Sequence, residues 1–102
     1  GLRAQRRLQE AGGGLRVAGD SVTLFCCGSG FTFDYYDIWW YRKAPGGRLE
    51  WVSFITTASV SKSARAMEGR ALVTRENSRS ESSLSLWALG PRDSARYFCV
   101  IS

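Results

Sequence analysis

Several short stretches of the chain alternate between two sets of side chains. Val22, Leu24 and Cys26 alternate with Thr23, Phe25 and Cys27, and Ile38 and Trp40 alternate with Trp39 and Tyr41. Ser82, Leu84 and Leu86 share one phase; Ala95, Tyr97 and Cys99 share another. A period of two sends successive side chains to opposite faces of an extended strand. No stretch keeps an apolar helical period for three turns. Gly12-Gly13-Gly14, Gly19-Asp20, Gly28-Ser29-Gly30, Pro45-Gly46-Gly47, Gly69 and Gly90-Pro91 punctuate the chain as turns or bends. Short strands between closely spaced turn signals predict an all-β sandwich or barrel. Gly30 to Asp37 and Thr56 to Ser63 are expected to be surface loops, and Gly90 to Ser94 a turn or single helical turn before the last strand.

The 102 residues fit one domain, and an aromatic content of 13% argues against a disordered chain. No apolar run approaches the roughly 20 residues that span a bilayer, so a soluble domain without membrane contact is expected, any signal segment having been removed. The net charge of +5 raises the question of nucleic acid. Arg3, Arg6 and Arg7 crowd the N-terminal arm, but the other arginines are scattered singly among Glu and Asp, which reads as a solvated basic surface and not a nucleic-acid footprint. There is no histidine, and the three cysteines include no Cys-x-x-Cys pair. That removes the commonest general base and the usual zinc ligand sets. No Ser–His–Asp or Cys–His triad can be assembled. Asp34 and Asp37 could in principle form an acid–base pair, but in a loop without a pocket they do not make a catalytic site. The expectation is a protein without catalysis, metal or cofactor.

Strand phase separates the cysteines. Cys26 shares the phase of Val22 and Leu24 and is expected to face the core, which turns Cys27 to the other face. Cys99 is in phase with Tyr97. A Cys26–Cys99 bridge would cross the core between two sheets and close a loop of about 74 residues, worth roughly 4 kcal/mol in chain-entropy terms. Trp40 lies between them on the inward phase. An inward Trp against an inter-sheet disulfide, with Tyr two residues before the second Cys, is the pattern of immunoglobulin sandwiches. Three free thiols, or a strained bond between adjacent Cys26 and Cys27, are the competing readings.

At this point the chain resembles a known family, the variable domain of antibody heavy chains. Glu10-Ala11-Gly12-Gly13-Gly14-Leu15 is similar to its first strand and bend, and Ser29-Gly30-Phe31-Thr32-Phe33 to the approach to its first hypervariable loop. Trp40-Tyr41-Arg42-Lys43-Ala44-Pro45-Gly46 and Leu49-Glu50-Trp51-Val52-Ser53 resemble the next two framework strands. Gly69-Arg70, Arg75-Glu76-Asn77-Ser78 and Asp93-Ser94-Ala95-Arg96-Tyr97-Phe98-Cys99 resemble the third framework. The similarity runs from about Gln5 to Cys99.

The resemblance implies a two-sheet immunoglobulin sandwich of variable (V-set) type spanning residues 1–102, with Trp40 and Tyr97 in structural roles and an Arg70–Asp93 salt bridge at its base. It implies antigen binding through hypervariable loops, the first over Phe31 to Ile38 and the second over about Phe54 to Ser63. Candidate contacts in the first loop are Phe31, Thr32, Asp34, Tyr35, Tyr36 and Asp37. In the second they are Phe54, Thr56, Thr57, Ser59 and Ser61, with Val100 at the start of the third. Tyr35 and Tyr36 suit a paratope because Tyr supplies large contact area at low entropic cost. Tyr41, Lys43, Leu49, Trp51 and Phe98 would face a light-chain variable domain, the expected partner besides the antigen. Secretion, or the ectodomain of a surface immunoglobulin, follows from the same resemblance. Tyr41 and Arg48 also resemble camelid single-domain antibodies, so an autonomous single domain is one alternative. A cell-surface adhesion or receptor module of the same superfamily, binding by its sheet face, is another.

The chain departs from the family pattern in places. Ala71 and Ser82 stand where the family carries a core Phe and a core Leu, with Trp87 as the candidate to refill that space. Phe25 and Cys27 fall on the outward phase, where the family has Ser and Ala; an inert, half-covered thiol is expected at Cys27. The first four residues precede the family's usual start, and the chain reaches Ser102 where the third hypervariable loop should begin, so the final strand is expected to be missing.

Overall fold

A computed structural model describes residues 7–12 and 19–102. Arg7–Gly12 (β1), Val22–Ser29 (β2), Ile38–Lys43 (β3), Leu49–Ile55 (β4), Ser61–Ser63 (β5), Ala71–Glu76 (β6), Glu81–Leu86 (β7) and Arg96–Ile101 (β8) form two antiparallel four-stranded sheets, ordered β1-β2-β7-β6 and β5-β4-β3-β8. Four short 3₁₀ turns are the only helical elements among the described residues. Arg3 and Arg6, and the bend after Gly12, lie outside them.

The alternating phases point as the sequence predicts. Ile38, Trp40, Leu84, Leu86, Cys26 and Cys99 are buried between the sheets, while Trp39, Tyr41 and Phe98 are only partly covered on the outer face. Cys26 and Cys99 are bonded, with their Cα atoms 6.3 Å apart, so the bridge joins β2 of one sheet to β8 of the other. Cys27 is the free cysteine, half-buried on the outer face, paired in register with Gln9 and Glu81.

Three expectations are corrected. Trp87 does not refill the core: it is 40% exposed beyond the end of β7, and Ser82 is fully buried as a serine. Met67, carried by the 3₁₀ turn Arg65–Met67, is instead buried in the core cluster against which Ala71 packs. The segment Thr56 to Ser63 is not all loop, because β5 pairs Ser61 with Ile55 and Ser63 with Ser53, leaving Thr56 to Val60 as the connection. Nor does the first loop reach Ile38, which is a buried β3 residue.

A bulge interrupts β4. Trp40 pairs with Ser53 but Tyr41 pairs with Trp51, so Val52 is the extra residue. Val52 and Ser53 are consecutively buried, and the alternation resets between them. Trp51 and Phe54, three positions apart, therefore share the outer face.

Candidate functional site

At one end of the sandwich the two loops are tied into one rim. Residues 33–35 form a 3₁₀ turn whose Phe33 drops into the core at 1% exposure. Phe31 lies over β2, where a Cβ on Gly28 would come within 2.6 Å of Phe31 Cζ; only glycine leaves room for that ring. Phe31 meets Tyr36 edge-on at 5.5 Å between centroids. The second loop is closed by Thr56 N–H to the Val60 carbonyl (2.8 Å) and Ser59 N–H to the Thr56 carbonyl (2.9 Å).

Arg75 of β6 braces both loops. Its guanidinium donates to the Thr56 carbonyl at 2.8 Å and the Phe33 carbonyl at 3.0 Å, and it lies 5.1 Å from the Phe33 ring centre. Burial lowers its pKa, opposed by the charges of Asp37 and Asp34. Asp37 Oδ1 accepts the Thr57 N–H at 2.9 Å, a second tie between the loops. Asp34 and Asp37 thus flank an arginine, and Asp37 is engaged in positioning Thr57.

The candidate contact residues divide accordingly. Thr32, Asp34, Tyr35, Thr57, Ser59, Ser61 and Val100 are exposed, Tyr35 most of all at 78%. Phe31, Tyr36, Asp37 and Thr56 are half-buried and hold the rim together. Phe54 belongs to the sheet face, its ring 5.1 Å from that of Trp39 and stacked at 5.9 Å on Trp51. Sequence reasoning did not single out Val60, which is 61% exposed, or Arg75. The phase of Val73, which is buried, would have shown Arg75 pointing inward.

The outer face of the β5-β4-β3-β8 sheet is built in rows across the strands. Phe54, Trp39 and Val100 form the row nearest the rim, and Trp51, Tyr41 and Phe98 the next. Leu49, Lys43 and Arg96 form the base. Tyr41 stacks on Phe98 with centroids 6.0 Å apart. Trp39 donates its indole N–H to Ser102 Oγ at 2.8 Å, whereas the buried Trp51 indole N–H has no hydrogen-bond partner among the described residues.

At the opposite end Asp93 collects four donors. Oδ1 accepts from Arg42 Nη1 and Arg70 Nη2, both at 2.8 Å; Oδ2 accepts from Arg70 Nη1 at 2.7 Å and the Gly90 N–H at 2.9 Å. The Arg70 bonds, with Gly90 and Arg42 behind them, hold the Asp93 carboxyl far below the usual carboxylate range against the opposing effect of burial. The Tyr97 hydroxyl donates to the Asp93 carbonyl at 2.9 Å and accepts from Arg42 at 3.0 Å. Arg42, buried at 4% exposure and also 3.5 Å from Glu50, is the charged member of this network to which the sequence assigned no role. Its phase with Trp40 places it inward. Among the described residues no group of three His, Cys, Asp or Glu is arranged to hold a metal ion.

The family model described as the immunoglobulin V-set domain matches residues 15–102. V-set domains are generally non-enzymatic binding modules, typical of antigen-binding or receptor and adhesion proteins, and they are typically extracellular. With the Cys26–Cys99 bridge over Trp40 between two four-stranded sheets, the chain belongs to the immunoglobulin V-set family.

Proposed function

We propose that this chain is the variable domain of an antibody heavy chain, secreted or displayed as an ectodomain, recognising an antigen through its loop rim and pairing with a light-chain variable domain. The observation that carries the reading is the rim itself. Arg75 and Asp37 fix two loops against each other, and Asp34, Tyr35, Thr57, Ala58, Ser59 and Val60 project from that brace. Exposed Tyr beside small polar residues on a rigid support is the chemistry of a paratope. The Cys26–Cys99 bridge suits an oxidising, extracellular compartment.

Two displayed libraries test the rim, one randomised at those six residues and one at Thr23, Thr74, Ser83 and Ser85 on the opposite sheet. Panned against a model protein antigen, the rim library is expected to give binders. Equal yield from the sheet library, or none from the rim, would sink the reading.

The Tyr41–Phe98 stack favours one second reading, an autonomous single domain whose outer face partly closes on itself. Native mass spectrometry of the chain mixed with a light-chain variable domain separates the two. A one-to-one complex supports the paired form, and a persistent lone species the autonomous one.

A further inference from the structure

We propose that the partner docked on the outer face of the β5-β4-β3-β8 sheet presents a carboxylate over the base of that face, between Lys43 and Arg96. This rests on the light-chain pairing proposed above and specifies what that light chain must carry. Two rows of the face are apolar and aromatic, and they give the partner its buried area. The base row is different. Asp37 and Ser102 exchange both backbone hydrogen bonds, at 2.9 and 3.1 Å. Counting in steps of two along the antiparallel ladder makes Lys43 and Arg96 another directly bonded pair. Their Cα atoms are then about 5.5 Å apart, with both side chains on the outer face.

Like charges directly opposite across strands are destabilising. Among the described residues nothing relieves this pair. Asp93 is taken by Arg42 and Arg70, Glu50 by Arg42, and neither Lys43 nor Arg96 has an ion-pair partner among the described residues. Between them opens a groove of about 480 Å³, completed by Ala44, Pro45, Ser94 and Ala95, with room for an acidic side chain. In the free domain, water screens the two cations. Once a partner covers the aromatic rows it also strips that water, and an uncompensated pair of cations at the base of the face then opposes docking. A neutral partner leaves the cost standing, a basic one increases it, and a carboxylate removes it. Continuity with the aromatic rows favours a protein surface over a free anion, which would leave those rows uncovered.

The test titrates the whole chain with three light-chain variable domains that differ only at the residue opposite Lys43, located by chemically crosslinking the complex, and that carry Glu, Gln or Lys there. The Glu form is expected to bind about tenfold more tightly than the Lys form at about 50 mM salt, with the gap shrinking at about 500 mM as the Debye length falls. K43E/R96E should reverse the order, and K43Q/R96Q should flatten it while leaving the melting temperature unlowered. Equal affinities for the three forms, with binding still abolished by F98E, would overturn the acidic-partner proposal and leave pairing intact. Failure of all three to bind would overturn the pairing and this proposal with it.

Discussion

The Trp40 indole N–H donates to Ser82 Oγ at 3.2 Å, and Ser82 donates onward to the Thr74 carbonyl at 2.8 Å. Ser82 is the register partner of Cys26, and Trp40 that of Cys99. The sheets are therefore joined twice at one level, by a disulfide and beside it by a hydrogen bond. A serine in place of a core leucine is tolerated because both of its neighbours are polar groups that need it. Ser82→Ala leaves both without Ser82 as partner and is expected to cost about 1–3 kcal/mol, read from chemical denaturation. A loss below a few tenths would show that the bond contributes nothing to the fold.

Asp93 sits between two arginines, one of them buried. Asp93→Ala is expected to cost about 3–5 kcal/mol because Arg42 is left without its main counter-charge. Asp93→Asn should show the pH dependence. The folded carboxyl titrates well below its unfolded value of about 3.9, so its contribution is complete above about pH 4 and fades as acid protonates it. The stability gap between parent and variant should narrow on acidification; a gap that stays constant down to about pH 2 would contradict the assignment.

Arg75→Ala should loosen the rim without unfolding the sandwich. Charged hydrogen bonds of this kind contribute about 1.5–3 kcal/mol, part of it here as loop order. Hydrogen exchange is expected to quicken at Tyr36, Thr57 and Val60 while the β2 and β7 amides stay protected. Uniform acceleration across both sheets would mean that Arg75 holds the fold and not the rim.

Cys27 should be a slow thiol. Burial raises its pKa first, and Glu81, whose carboxylate lies 3.7 Å from Sγ, raises it further. Less thiolate is then present at neutral pH than in a free cysteine. Alkylation of the folded protein should run several-fold slower than of a Cys peptide, and Glu81→Gln should accelerate it. No response to that substitution would leave access alone as the cause.

Legibility followed the ladder. Where alternation is unbroken, as at Cys26, Trp40, Leu84 and Cys99, the sequence phase alone assigns each residue its face, and the disulfide follows. Arg42 and Arg75 lie on the same inward phases, but a charged residue is expected at the surface, so their roles emerge only once the acceptors from other strands and loops are in place. Phe33 was hidden for another reason. A 3₁₀ turn has no period of two, and one of its side chains fills the core while its neighbours meet solvent. Trp87 fails in the opposite sense: its size suggests a filler, but it stands past the end of β7. Phe54, assigned to a loop, belongs to the sheet because the bulge resets the count.

That bulge also determines where the chain can change length. Removing Val52 would erase the bulge and leave Phe54 facing out and Ile55 in, whereas removing a second residue would exchange the two faces for everything beyond the deletion. Residues inserted between Thr56 and Val60 stay outside the ladder and disturb no pairing. Insertions are thus confined to the rim, while β4 can lose no more than its one extra residue before its faces exchange. The surface free to diversify and the surface held constant are separated by a count of residues along a single strand.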